Sequence, residues 1–143
     1  MKPSVTLPAT LSPVARGLSS DINYNFFFII MLPEIPDWAD EMNCAVTVCD
    51  ADCKIIYMNG PAKRLYASRG DLIGYNLMDC HSERSRGIIS DLLATGGVNC
   101  YTIHKKGQKK MIYQTAWRRD GKVAGLVEIS MVIPEEIPDY IRQ

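Results

Sequence analysis

The sequence predicts an α+β domain, a five-stranded antiparallel sheet with its helices packed on one face. Three observations predict it. Two short strand-like runs, 45–49 and 54–58, meet at an Asp-rich turn, helical stretches follow, and three longer strand-like runs come last. Positions 110–118 alternate, which sets Met111, Tyr113, Thr115 and Trp117 on one side of a strand. Asp120-Gly121 is a residue pair favoured in tight hairpin turns. Strands followed by helices followed by strands make a layered arrangement. The space between its layers is the natural place for a ligand.

Taken in order, residues 1–33 read as a flexible or loosely docked leader, rich in Pro, Ser and Thr and without a steady period. Within it, Phe26-Phe27-Phe28-Ile29-Ile30 reads as a short strand or clamp, and Met31 is an alternative start of the chain. The domain is expected over 34–133, with a short tail over 134–143. Glu34 to Met42 reads as an amphipathic helix, with Ile35, Trp38, Ala39 and Met42 at helical spacing. Asp50-Ala51-Asp52-Cys53 forms the first turn, because Asp side chains bond the amides that a turn leaves free. Asn59 ends the second strand and caps a helix whose first turn holds Pro61. Short helices are expected over Pro61–Ala67 and around Asp71–Ile73. A longer one runs from Ser82 to Ala94 with Ile88, Ile89, Leu92 and Leu93 on one face, ended by Gly96-Gly97. Val98–His104, Lys110–Arg118 and Val123–Ile133 are the last three strands, and Pro134 ends the fifth.

From Asn43 to Ile133 the chain resembles the PAS sensory domains. The likeness is carried by Asp50 at the end of the first strand, then Ile55, Ile56, Tyr57 and Asn59, the helix residues Ala62, Leu65 and Tyr66, the step Leu72-Ile73-Gly74, and Leu77, Asp79 and His81 leading into the long helix. A looser likeness, through Leu-Met-Asp-Cys-His and the Lys-Lys-Gly…Gly-Leu-Val-Glu ending, links it to PAS modules associated with hemerythrin-like domains. The resemblance implies a sensor that binds a small molecule or a signalling protein and has no catalysis of its own, with Asp50, Asn59 and Gly74 as fold-motif residues. It also implies a homodimer contact at the first helix, where Trp38 is the expected interface residue; capping of the domain's own core is the alternative. Tyr57, Leu65, Ile89, Leu93, Tyr101, Tyr113 and Trp117 are expected to line the pocket, as bulky residues on the elements that surround it.

Composition bounds these readings. There are 16 Lys+Arg and 16 Asp+Glu, so no global field draws the chain to nucleic acid or a membrane surface. No apolar run approaches the ~18 residues of a spanning helix. Five scattered cysteines without a paired CxxC spacing point to a reducing, cytoplasmic setting.

Cys49 and Cys53 lack further ligands for a metal, so no metal site is expected; Cys53 stands where the family often has a turn glycine and is expected to be exposed. Cys80, His81 or Cys49 carries a thiol- or haem-based redox-sensor alternative, set at Cys80-His81 against a histidine that bonds the backbone. Flavin–cysteine photochemistry is disfavoured, because Gly74-Tyr75-Asn76-Leu77 has Leu where that PAS subclass has Cys. Haem is disfavoured too, since 82–94 contains no His; Gly87 sits mid-helix, where it either admits a close approach or is plain packing. No cofactor is required. A small α+β enzyme is the remaining alternative; its polar candidates Asp50, Glu128 and His81 lie on separate elements. Lys105, Lys106, Lys109 and Lys110, with Arg118 and Arg119 at the opposite end, read as solvated turn charges.

Overall fold

In the computed structural model, which describes residues 37–142, five antiparallel strands form one sheet in the order β2-β1-β5-β4-β3. The elements are α1 (Asp37–Glu41), β1 (Ala45–Asp50), β2 (Ile55–Met58), α2 (Gly60–Leu65), α3 (Glu83–Thr95), β3 (Val98–Lys105), β4 (Gln108–Arg119) and β5 (Lys122–Val132). Short 3-10 turns cover Ala67–Arg69 and Leu77–Cys80. The α+β sheet expected from the sequence is present. The leader, with Phe26–Ile30 and Met31, lies outside the described residues.

Local signals explain most boundaries. Asp50 Oδ1 accepts from the amides of Asp52 (3.0 Å) and Lys54 (2.8 Å), which closes the β1–β2 turn. Ser82 caps α3, and Gly96 ends it in the left-handed region at φ 68°. The hairpins after β3 and β4 turn on Lys106-Gly107 and Asp120-Gly121, all four with positive φ, which suits the twist of the flanking strands.

Asn59 is the knot of the N-terminal half. It is fully buried, and its Oδ1 accepts from Val46 N (2.9 Å) and Ala62 N (3.0 Å). Its Nδ2 donates to Ala39 O (3.2 Å) and Cys44 O (2.9 Å). One side chain thus ties the end of α1, the start of β1 and the first turn of α2.

Several expectations are corrected. Of the helix expected over Glu34–Met42, Asp37–Glu41 is helical and Met42 is not, while 34–36 lie outside the described residues; Trp38 is 69% exposed, so it does not cap the core. Asp71–Ile73 is not helical: Asp71 Oδ1 accepts from Ile73 N (3.0 Å) in a side-chain turn that competes with a helix. The next helical turn comes instead at Leu77–Cys80, where Asn76 Oδ1 accepts from Met78 N. Cys53 is buried rather than exposed. It adopts the left-handed conformation of a turn residue (φ 62°), yet its side chain packs with Cys49, Ile89, Leu92 and Leu126. Gly87 is exposed, and a Cβ there would meet nothing within 4 Å, so no strand approaches it. Gly87→Ala should therefore raise stability by about 0.5–1 kcal/mol, read as a shifted urea midpoint at unchanged slope. A destabilised variant would show that this face of α3 is covered.

The core lies between the sheet and α3. Ile89 and Leu92 pack on Cys49, Cys53 and Leu126, and a second cluster joins Ile55, Met58 and Ala62. Strand pairing defines the inner face. Thr47 pairs with Glu128 and Cys49 with Leu126, while Gln114 pairs with Glu128. Residues one position along point to the other face. The free edge of β2 is covered by the loop at 74–77: Ile55 N donates to Tyr75 O and Leu77 N to Cys53 O. Gly74 supplies the positive φ (87°) that this loop needs, and its N–H donates to Ile55 O.

Candidate functional site: a cavity between sheet and helices

A cavity of about 240 Å³ opens on the inner face of the sheet. Its apolar floor is Cys49, Ile55, Met58, Leu77, Ile89 and Leu126. Polar groups include Glu128 from β5, Gln114 from β4, Thr47 from β1, Lys105 from β3, Tyr66 and Arg69 from the segment after α2, and Cys80 and His81 ahead of α3. Most sites for drug-sized ligands measure ~300–1,000 Å³, so this one suits a small metabolite. A groove lined by His81, Arg84, Ser85, Ile88, Asn99, Tyr101 and Gln114 adjoins it, sharing His81 and Gln114.

The polar wall is a hydrogen-bonded relay. Asn99 Nδ2 donates to Gln114 Oε1 (2.8 Å), and Gln114 Nε2 donates to Glu128 Oε2 (2.8 Å). Its direction is forced, because a carboxylate only accepts; Gln114 must turn its NH2 to Glu128 and its carbonyl to Asn99. Burial raises the pKa of Tyr66, and the Glu128 charge adds to the shift. The same two causes, in the same order, raise Tyr101.

His81 Nδ1 donates to Leu77 O (2.8 Å), and the Cys80 thiol donates to that carbonyl as well (3.2 Å). Sγ of Cys80 lies 3.4 Å from His81 Nδ1. The imidazole nitrogen nearest the thiol therefore carries the proton and is no base for it. Glu128 and His81 face one cavity, yet each is bonded elsewhere, and no hydrogen bond joins them among the described residues. Asp50 is committed to its turn. Among the described residues, Asp50, Glu128 and His81 form no acid–base pair with one another.

Of the seven residues expected at the pocket, the structure places Ile89 in its wall. Leu93 packs at the edge of the core behind it, and Tyr101 lines the adjoining groove. Leu65 is 43% exposed on the far side of α2, beside Pro61 and Ser130. Tyr57 points away from the cavity. β1 pairs Val48 with Tyr57 and Cys49 with Ile55, so Ile56 is an extra residue in a bulge that rotates Tyr57 outward and Met58 inward. Tyr57 instead reaches Asp40 of α1 (3.5 Å). Tyr113 and Trp117 share one side of β4, as the alternation required, but that side faces away from the helices. Tyr113 pairs with Ile129, and Trp117 Nε1 donates across β5 to Cys49 O (2.9 Å).

Sequence reasoning did not assign Thr47, Met58, Tyr66, Leu77, Gln114 or Leu126 to the site. Glu128 was weighed only as half of an acid–base pair. The available signal was the one charged residue in the middle of a mostly apolar strand, Val123–Ile133.

Burial pushes the Cys49 thiol up to about 11 from an ordinary value of 9.0. Because the folded pKa lies above the unfolded one, this contribution is fully present below pH ~9 and is lost as pH rises through ~11. Folding stability should fall by on the order of 2–3 kcal/mol across that window from Cys49 alone. Urea titrations at pH 8, 9.5 and 11 check it; a Cys49→Ala variant with an equally steep pH dependence would refute the assignment.

No protein-family model and no curated protein matches this sequence. Solved structures do match. The PAS domain of histidine kinase ThkA is 17% identical with a TM-score of 0.53, over 63% of this chain and 99% of that one. The dual PAS-haem oxygen sensor Aer2 of Vibrio cholerae is 19% identical with a TM-score of 0.50, over 64% of this chain and 95% of that one. The VqmA receptor of Vibrio cholerae, bound to DPO, is 17% identical with a TM-score of 0.56, over 68% of this chain and 55% of that one. The chain has the PAS fold. The narrower likeness to hemerythrin-associated modules gains no support from these three neighbours.

Proposed function

We propose that this chain is a sensory signalling module that binds a small molecule between sheet and helices and passes the bound state to a partner, without chemistry of its own. The observation that carries this reading is the cavity itself: an apolar floor with Glu128, Gln114, Tyr66 and His81 converging on it. VqmA, with the same fold, holds the small ligand DPO, which supports such a use of the fold. The haem alternative is the weaker one here. The cavity of about 240 Å³ is small for a macrocycle. Among the described residues no helix is long and apolar enough to cross a membrane; a cytoplasmic setting remains part of the proposal. VqmA belongs to DNA-binding LuxR-type receptors, so binding to another macromolecule is a possible output of the fold, and we place the output here in a protein contact. A homodimer through α1 fits the exposed Trp38.

Native mass spectrometry of the purified protein tests both parts. The expected result is a dimer that carries a small retained mass or takes one up from a metabolite extract. Leu72→Trp, which adds bulk at the half-buried rim of the cavity, should abolish uptake and leave the dimer. Trp38→Ala should do the reverse. A protein that takes up no small molecule from any extract would refute the ligand reading, and a Trp38→Ala dimer as stable as the parent would refute the interface.

A further inference from the structure

The relay Asn99–Gln114–Glu128 gives the cavity a preferred ligand chemistry. Glu128 lies mid-sheet on the inner face, half-buried, opposite Thr47 on β1 and Gln114 on β4. Gln114 donates to one of its two oxygens, and no ion-pair partner for it is present among the described residues. A carboxylate removed from bulk water gains most from a donor it can bind directly. The cations around the cavity do not fill that role. Arg69 and Lys105 are exposed, and neither forms a salt bridge with Glu128. The imidazole N–H at Nδ1 of His81 is spent on Leu77 O. Tyr66 is a neutral phenol whose ionisation Glu128 opposes.

Resting on the ligand-binding reading above, we infer that the cavity selects a small, largely apolar molecule bearing a cationic amine or N–H donor, which Glu128 receives while Asn99 and Gln114 hold the carboxylate in position. The apolar body lies against Ile55, Leu77, Ile89 and Leu126. The Arg69 and Lys105 side chains at the rim offer the competing chemistry, a small carboxylate.

Phenethylamine and phenylacetate, near-equal in size and opposite in charge, separate the two. Amide chemical-shift titrations of the ¹⁵N-labelled protein give a dissociation constant for each probe, with the parent, Glu128→Gln and Leu72→Trp. Phenethylamine should bind saturably, with shifts at Ile89, Leu126 and Glu128, and roughly ten-fold or more tighter than phenylacetate. Glu128→Gln, nearly isosteric, should weaken the amine by about ten- to a hundred-fold and leave phenylacetate as it was. Leu72→Trp should remove both sets of shifts. Tighter binding of phenylacetate, or an amine constant unchanged in Glu128→Gln, overturns the inference. Loss of both probes in Leu72→Trp would then still uphold the cavity as a binding site. Absence of saturable shifts with either probe overturns the inference together with the ligand reading. A spectrum showing that Glu128→Gln is unfolded shifts the decision to the probe preference of the parent, which upholds or overturns the inference by itself.

Discussion

Replacing Asn59 with alanine is expected to destabilise the fold by about 3–5 kcal/mol and to lower the melting temperature by more than ~10 °C. The magnitude follows from its four hydrogen bonds, made by a side chain with no exposed surface. Alanine removes the acceptor for Val46 N and Ala62 N and the donor for Ala39 O and Cys44 O. Four backbone groups from three elements lose a partner at once, and a buried polar group left unpaired costs about 1–3 kcal/mol. Relaxation and water entry recover part of that sum. Asn59→Asp is the informative companion. It keeps the acceptor toward the two amides, yet turns a second oxygen toward two carbonyls, so it should be nearly as damaging as alanine. Thermal melts of the three proteins decide it. An alanine variant melting within a few degrees of the parent would mean that α1, β1 and α2 are held together by something else.

Gly125→Ala should cost about 3 kcal/mol or more, although it adds only one methyl group. Gly125 lies in β5 opposite both Asp50 and Trp117, with φ +155°. A Cβ there would collide with the backbone carbonyl of Cys49 and come within 2.5 Å of Trp117 Nε1. The absent side chain is what lets the indole cross β5 and donate to Cys49 O, joining strands that do not neighbour one another. Trp117→Phe, which removes the donor without any clash, should cost only about 1 kcal/mol. The double variant separates the causes. Because the main obstacle is backbone, Trp117→Phe should not rescue Gly125→Ala. Recovery to the level of the single Phe variant, measured by urea unfolding, would place the clash in the indole alone.

The order of the strands and of the long helix, the Asp50 turn, the Asn59 cap, the Gly96 stop and the Asp120-Gly121 hairpin were legible in the sequence. Each rests on a contact between residues a few positions apart, and the residue type itself supplies the reason. Asn59 shows where that legibility ends. Its bond to Ala62 N was readable, but its bonds to Val46, Ala39 and Cys44 join segments 13–20 residues away. The likeness to PAS domains ordered the motifs correctly, but it did not locate the cavity wall.

What the sequence by itself determined is which residues share a side of the long strand β4 and, to within a few residues, where the strands and the long helix lie. What only the tertiary structure decided is which side the helices cover. Alternation in β4 groups Tyr113 with Trp117 and equally groups Ile112 with Gln114; both faces carry apolar residues, and periodicity is silent on which of them turns inward. One bulged residue, Ile56, then exchanged Tyr57 for Met58 at the cavity. Such choices depend on packing between segments far apart in the chain, and Glu128 becomes a candidate site residue only once strands β1, β4 and β5 lie side by side.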